Sequence, residues 1–362
     1  MVRLRRGRVV AIASSRPGAI EVEVEVEGRL VAAIAYPDLV GSVAEGDSVL
    51  LNTTGLALGL GTGGFHLVVA VDGREESEPA HTGRVMKARY TPLQVAVASV
   101  EEGHREALEA SPGLEGLAVV AAPLHSMIAP IAAGAKAAGA GRVAYVMTDQ
   151  AALPGAFSGL VPRLRDAGLL DGFVTAGQAF GGELEAVTLW TGLLAAKEVL
   201  DAEVIVVADG PGNLGTDTKW GVSALASGLA LNAAGTLGGR PVAALRLSFA
   251  DGRARHRGVS HHSLTILTDV CTVRVNVGVP ALEGEERDSV WGALRDARLE
   301  ERHQLVEVPG QPALDLLAER GLEVESMGRT PADDPAFFLA AGAAGVLAGR
   351  MATGARAWRG GD

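Results

Sequence analysis

The sequence predicts an α/β protein: a small closed N-terminal β-barrel of the SH3 or OB kind, followed by a doubly wound, mostly parallel, Rossmann-like sheet with helices on both faces. Three observations predict it. Ile20, Val22, Val24 and Val26 alternate strictly with glutamates near the N-terminus, the period of a half-buried strand. The first 72 residues hold five short strand-like runs parted by turn residues, with no helical stretch. Beyond residue 92 apolar runs of strand length are spaced about one helix apart, the signature of parallel strands with crossover helices.

In the barrel, Ile20 to Glu27 is followed by a turn at Gly28-Arg29 and a strand from Leu30 to Tyr36. Pro37-Asp38 breaks the chain, Gly46-Asp47 opens a strand over Ser48 to Asn52, and His66 to Asp72 completes the set. Closure hides the strand edges, which makes a barrel the expected outcome. Gly59-Leu-Gly61-Thr-Gly-Gly64 sits between strands, so it is expected to form a bulged or positive-φ turn at the rim, its glycines also placed to meet the second domain. His66 is expected to be a strand residue. The acidic stretch Gly73 to Pro79 marks a linker, dividing the chain into 1–86 and 87–362.

The strands expected in the second domain are Gln94–Ser99, Leu117–Ala122, Val143–Met147, Phe173–Ala176, Val204–Ala208, Val242–Leu247, Val273–Val277, Gln304–Val308 and Leu322–Ser326. Ligands of such sheets bind beyond the carboxyl ends of the strands, near a switch in strand order. The segments there are rich in glycine and polar residues: His125-Ser126, Thr148-Asp149-Gln150, Gly177 to Glu183, Asp209 to Lys219, and Asp251 to Ser263. Polar loops also occur at the opposite edge of any sheet.

Composition narrows the function classes. The chain has 362 residues, 48% of them apolar and 21% charged, with one cysteine, Cys271; this is a globular protein without a disulfide framework. The apolar run Val9 to Ala13 is too short for the roughly 7 to 15 residues of a signal peptide core, and Phe337 to Gly349 is shorter than the roughly 20 of a membrane span. A cytoplasmic location with no membrane partner is the expectation. A net charge of −11 argues against general nucleic-acid binding. Among 32 basic residues only Lys87, Lys136, Lys197 and Lys219 are lysine, which with abundant Gly and Ala fits a GC-rich bacterial genome. Base rates of assembly favour a homodimer.

Gly210-Pro-Gly212-Asn-Leu-Gly215 matches GxGxxG after an expected strand and before a helix placed near Trp220. The acidic partner expected about 20 residues on is missing, so a general anion cradle fits better. In it converging amides from Gly210, Gly212, Gly215 and Thr216 hold an anion, Thr216 or Thr218 caps the helix, and Lys219 adds a point charge. Trp220 after Lys219 excludes a Walker A loop. The plain alternative is a glycine-rich turn.

Asp251-Gly-Arg-Ala-Arg-His-Arg-Gly-Val-Ser-His-His-Ser263 gathers Arg253, Arg255, His256 and Arg257 in an acidic protein, and Ser260 is placed to cap a helix over Leu264 to Val270. Arginine forks there suit an anion; a solvated basic loop is the bland reading. Adjacent His261 and His262 point about 100° apart on a helix, so one is expected to act and the other to pack. Metal binding would need partners among His125, Asp149, Glu183 and Asp209, and with no HxxxH, CxxC or HExxH spacing no metal is expected. Ser126, expected to cap the Ala-rich helix that follows it, and Ser260 lie in no nucleophile elbow.

Gly61 to His66, Thr175 to Glu183, Gly210 to Lys219 and Arg255 to Ser263 together resemble a bacterial family of unknown function, DUF3866. The resemblance extends along essentially the whole chain, rests most specifically on Arg-His-Arg-Gly-Val-Ser-His-His, and brings no chemistry with it.

The leading functional expectation is an enzyme, a hydrolase or group transferase, acting on a small anionic or phosphorylated molecule. Gly212 to Thr216 with Lys219, Arg255 and Arg257 would hold the anion. His261 would transfer protons, with Asp149 or Asp209 orienting it or binding a divalent ion. The sequence names no cofactor. The alternatives are a non-catalytic ligand-binding or scaffold protein whose barrel contacts a macromolecule, and a nucleotide or dinucleotide binder.

Overall fold

The computed structural model describes residues 1–73, 83–216 and 218–359; the linker beyond Gly73 and Asp217 of the glycine loop lie outside the described residues. Five strands, β1 (Leu4–Arg16), β2 (Ala19–Val26), β3 (Arg29–Ala35), β4 (Ser48–Asn52) and β5 (His66–Val71), close into a barrel in the order 1-2-3-5-4. β5 runs parallel to β3, and β4 pairs back onto β1. The period-2 pattern sets the inside: Val22, Val24 and Val26 meet Val49, Leu51 and Val68, while Glu23 and Glu25 face water. The β2–β3 turn is Glu27-Gly28, one residue earlier than expected. Both residues have positive φ (49° and 75°), as a two-residue hairpin that follows strand twist requires.

The rim glycines behave as anticipated, with Gly59, Gly63 and Gly64 at positive φ. Gly63 also meets the α/β region, where a Cβ would stand 2.9 Å from the Phe157 ring. Ile34 and Tyr36 pack on the same phenylalanine, and Arg16 Nε donates to Ala156 O at 3.0 Å. The barrel is thus seated on the segment that follows the strand Val143–Thr148 of the α/β region.

A short ribbon, β6 (Val85–Lys87) with β7 (Val95–Val97), lies outside the main sheet. This corrects the expectation that Gln94–Ser99 is a sheet strand. Lys87 anchors the ribbon: its buried Nζ donates to Ala179 O and Ala186 O at 3.0 and 2.8 Å and stands 3.4 Å from Glu185.

The remaining strands in chain order are β8 (Ala118–Ala121), β9 (Val143–Thr148), β10 (Gly172–Ala176), β11 (Leu184–Ala186), β12 (Val204–Asp209), β13 (Arg240–Ala244), the ribbon β14 (Leu247–Ser248) and β15 (Gly258–Val259), β16 (Asn276–Pro280) and β17 (Gln304–Val308). All but the ribbon form one eight-stranded parallel sheet, ordered β11-β10-β9-β12-β8-β13-β16-β17. Edge strand β11 has three residues, too few to show a period in sequence. Leu322–Ser326, expected as a strand, is irregular chain; Leu322 and Val324 still reach the core, which explains their strand-like spacing. The β13 run stops at Ala244, and its tail turns away into the β14–β15 ribbon.

Both faces of the sheet are covered. Val120, Tyr145 and Val206 pack under the helices Ile128–Ala137 and Pro335–Arg359. Their neighbours Val119, Ala144 and Ile205 pack under Leu189–Glu198 and Ala226–Thr236. Burial on both faces explains why the strands read as unbroken apolar runs.

The apolar stretch Pro335–Gly354 is 20 residues long, with mean hydropathy 1.4, longer than the run read from sequence. By length and composition it could span a bilayer, yet 72% of it is buried inside the protein, as in a core helix. Its glycines have a packing cause beyond genome composition. A Cβ on Gly345 would stand 2.1 Å from Ile131 O, and one on Gly349 2.5 Å from Ala135 O. Only glycine lets these two helices approach backbone to backbone.

Candidate functional site

β8 and β12 are neighbours in the sheet, but the chain leaves them toward opposite faces. From β8 it enters the helix Ile128–Ala137 on one side, and from β12 it reaches Ala226–Thr236 on the other. Loops that part in this way open a crevice at the carboxyl edge. A hollow of about 540 Å³ lies there.

Four segments wall it. Pro123–Ser126 follows β8, and Pro211–Thr216 follows β12. Arg246, Arg253, Arg255, His256 and His262 come from the stretch after β13. Val324–Met327, the segment mistaken for a strand, closes the far side with Arg163 nearby. Asn213 Nδ2 ties two walls together through Pro123 O at 2.9 Å.

The glycine loop engages one of the amides expected in the cradle, that of Thr216, within itself. Leu214 N donates to Ser223 Oγ (3.1 Å) and Thr216 N to Gly221 O (2.7 Å), so two of its amides are engaged within the loop. Thr216 and Thr218 bond each other and Gly221 rather than cap a helix, because the chain first makes a 3₁₀ turn at Ser223–Leu225 and the helix starts only at Ala226. No helix N-terminus stands directly behind the glycines, which removes the basis of a dinucleotide fingerprint. Gly210 is there for space: a Cβ would lie 2.4 Å from Ala152 O. Gly212, at φ 91°, Gly215 and Thr216 do line the hollow. Lys219 does not; its Nζ pairs with Asp269 at 3.1 Å and lies over the Trp220 ring.

The stretch after β13 supplies most of the charge. Arg246, only 6% exposed, places Nη2 3.4 Å from Asp251 Oδ2, while its buried Nε has no partner. Arg253 and Arg329 reach the same carboxylate oxygen at 2.7 and 3.9 Å. One carboxylate therefore answers three guanidinium groups, although Arg329 also pairs with Asp334 at 3.2 Å. Burial, followed by repulsion from Arg253, lowers the Arg246 pKa to about 10. Hydrogen bonding to Arg253 outweighs burial at Asp251 and holds its carboxyl well below the usual range. Arg255 lines the hollow and Arg257 is exposed outside it.

The histidines converge more closely than their positions on a helix suggested. Ser260 caps the helix His261–Thr265 by accepting from His262 N, as anticipated from sequence, and also lies 2.8 Å from His256 Nδ1. The His261 and His262 ring centres are 4.0 Å apart, and both lie about 5 Å from His256. His256 and His262 line the hollow; His261 backs them. Both ring nitrogens of His262 and Nε2 of His261 are buried without partners, and a buried unpaired polar atom costs about 1–3 kcal/mol. Burial first, then nearby cations, lowers all three pKa values, to about 3 for His256 and about 4 for His262. Among the described residues these three histidines form a group with metal-ligand spacing. The partners sought for a metal among His125, Asp149, Glu183 and Asp209 are not part of it.

The other expected site residues have local partners. Asp149 accepts from Gln178 N at 2.8 Å and does not line the hollow. Asp209, at the end of β12, is buried against Thr148 Oγ1, and burial raises its pKa to about 6. His125 lines the hollow with both nitrogens engaged: Nε2 meets Ser158 Oγ at 2.7 Å, and Nδ1 meets Tyr145 Oη and Asp209 O at 3.2 Å. Ser158 is buried, so this pair is no open nucleophile and base. Ser126 bonds Ser326 Oγ across the hollow rather than capping the next helix, which begins through a 3₁₀ turn.

Sequence reasoning passed over Arg246, His256 as a partner of His261 and His262, and Val324–Met327. A signal existed for Arg246, a lone charge inside the apolar run Val242–Phe249. No curated protein matches the chain. The sequence model of the family described as "Protein of unknown function (DUF3866)" matches residues 32–345, from β3 of the barrel to the middle of the long core helix, and the chain belongs to that family.

Proposed function

We propose that the chain binds a small anionic ligand, bearing a phosphate or carboxylate, in the hollow at the switch between β8 and β12, and acts on it by hydrolysis or group transfer. The observation that carries the reading is Arg246. Its guanidinium is 94% buried in the wall of an open hollow, and although Asp251 faces Nη2 at 3.4 Å, Nε is left without an acceptor that a bound anion would supply. Asp251 and Asp334 answer three arginines, so cations outnumber carboxylates in this network inside a protein of net charge −11.

In this reading Arg246 and Arg253 grip the anion, Arg255 gates the rim, and the Gly212–Thr216 loop shapes the opposite wall. His256 and His262, rather than the His261 expected from sequence, are the imidazoles of this cluster that line the hollow beside such a ligand. Lys219 and Asp149 have no part. The experiment is calorimetric titration of the full chain with inorganic phosphate and small carboxylates, followed by a turnover screen over phosphomonoesters and phosphodiesters. Phosphate affinity that falls about tenfold or more in Arg246→Met supports the reading, and equal affinity in both proteins overturns it. Binding without turnover on any ester would reduce the protein to a ligand-binding module.

A further inference from the structure

We infer that His256, His261 and His262 hold one divalent transition-metal ion of the zinc class at the edge of the hollow, with a coordination position open toward it. A ring nitrogen from each of the three lies within 4.8 Å of the other two. Tetrahedral binding at about 2.0–2.1 Å per nitrogen, which sets the nitrogens about 3.4 Å apart, would draw the rings together by rotation.

Two of the rings are nearly closed to water, His256 at 2% and His262 at 5% exposure, and His262 has no hydrogen bond at either nitrogen. Imidazoles buried for packing alone find an acceptor or a donor, as His125 and His303 do here. Both nitrogens of His262 and Nε2 of His261 do not, although three imidazoles share one spot. A metal ion satisfies one nitrogen of each ring with a single group.

The surrounding contacts suit that role. Ser260 Oγ, 2.8 Å from His256 Nδ1, holds that ring so that Nε2 presents its lone pair when Nδ1 carries the proton; a fixed outer hydrogen bond is the usual companion of a metal-bound histidine. Three nitrogen ligands select zinc, cobalt, nickel or copper over magnesium and calcium, which prefer oxygen. Three ligands with the fourth position open is the pattern of catalytic rather than structural sites. Because His256 and His262 line the hollow, that position faces the space beside Arg246. The placement of the metal stands on the histidines alone; its part in turnover rests on the anion reading above.

The test strips the full chain with a chelator, adds Co²⁺, and follows the visible d–d absorption and bound metal after gel filtration. One equivalent per chain is expected, displaced by Zn²⁺ and not by Mg²⁺. His262→Asn and His256→Ala should abolish it, and Ser260→Ala should weaken it about tenfold or more while leaving the ligands in place. His104→Ala, an exposed histidine elsewhere, serves as the control and should change nothing. Far-UV circular dichroism confirms that each variant is folded; if the histidine variants unfold, Ser260→Ala and the Co²⁺ spectrum of the wild-type chain decide. Substoichiometric metal in the wild-type protein, or equal binding in Ser260→Ala and His262→Asn, would overturn the proposal. Phosphate titration of the metal-stripped protein separates the two readings: phosphate bound without metal leaves the anion site standing alone, and metal bound without phosphate does the reverse.

Discussion

Two loops at one edge of the sheet, Asp209–Lys219 after β12 and Asp251–Ser263 after β13, look alike in sequence as glycine-punctuated polar stretches with basic residues; in the structure Arg246 joins the second. The structure makes them opposites. The first folds on itself, bonding its own amides and hydroxyls, and leaves Lys219 in solvent with Asp269. The second buries Arg246, Asp251, His256 and His262 in one network. A flexible-looking glycine loop can satisfy its polar groups locally. The arginine- and histidine-rich run pairs Arg253 with Asp251 and His256 with Ser260 locally and draws further partners from Met327, Arg329 and Asp334, and that is how a hollow comes to be lined with charge.

The contrast can be broken or sharpened by substitution, beginning with the largest effect. Asp251→Asn removes the carboxylate shared by three arginines. Loss of one partner of a buried ion pair costs about 3–5 kcal/mol, so chemical denaturation should show a fall of that size; a change below about 1 kcal/mol would mean the network is solvated after all.

Asp209 is the root of the other loop, and its folded pKa of about 6 lies above the ordinary 3.8. The folded state therefore binds the proton more tightly than the unfolded chain. The stabilisation is full below pH 4 and is lost as pH rises through about 6, amounting to roughly 2–3 kcal/mol. Asp209→Asn should flatten that decline, and unfolding curves at pH 4, 5, 6 and 7 would show it; parallel slopes in both proteins would refute the assignment.

Arg246→Met keeps most of the side-chain volume and removes the inner cation. Phosphate affinity should fall about 10- to 100-fold, the range of a lost charge-assisted hydrogen bond, while stability holds or improves because a buried charge is gone. Calorimetry checks the first and thermal unfolding the second. Lys219→Ala should be the mildest, with phosphate affinity changed by less than about twofold, since an exposed pair contributes little. A large loss there would restore the glycine loop as the anion site.

Much of the architecture was legible because its signals are local. The alternation from Ile20 to Val26, the turn residues between barrel strands and the apolar runs of β8, β9, β10 and β12 each report burial that period and length encode. The place of the site was legible too, because the carboxyl edge of a parallel sheet follows from strand direction. β11 and the run Leu322–Ser326 escaped for opposite reasons: one is too short to display a period, and the other displays a strand-like period while packing as irregular chain.

By itself the sequence determined the barrel, the parallel sheet and the edge where polar residues gather, since these follow from backbone periodicity and the handed connection of strands. Only the tertiary structure decided which polar residues meet. Arg246 and Ser326, or Ser126 and Arg253, are brought to one hollow by the order in which strands insert into the sheet, and no spacing along the chain records that order. The three histidines show the same limit at short range: adjacent helix positions predicted divergence, whereas the turn at Ala254–His256 returns a third ring to the other two.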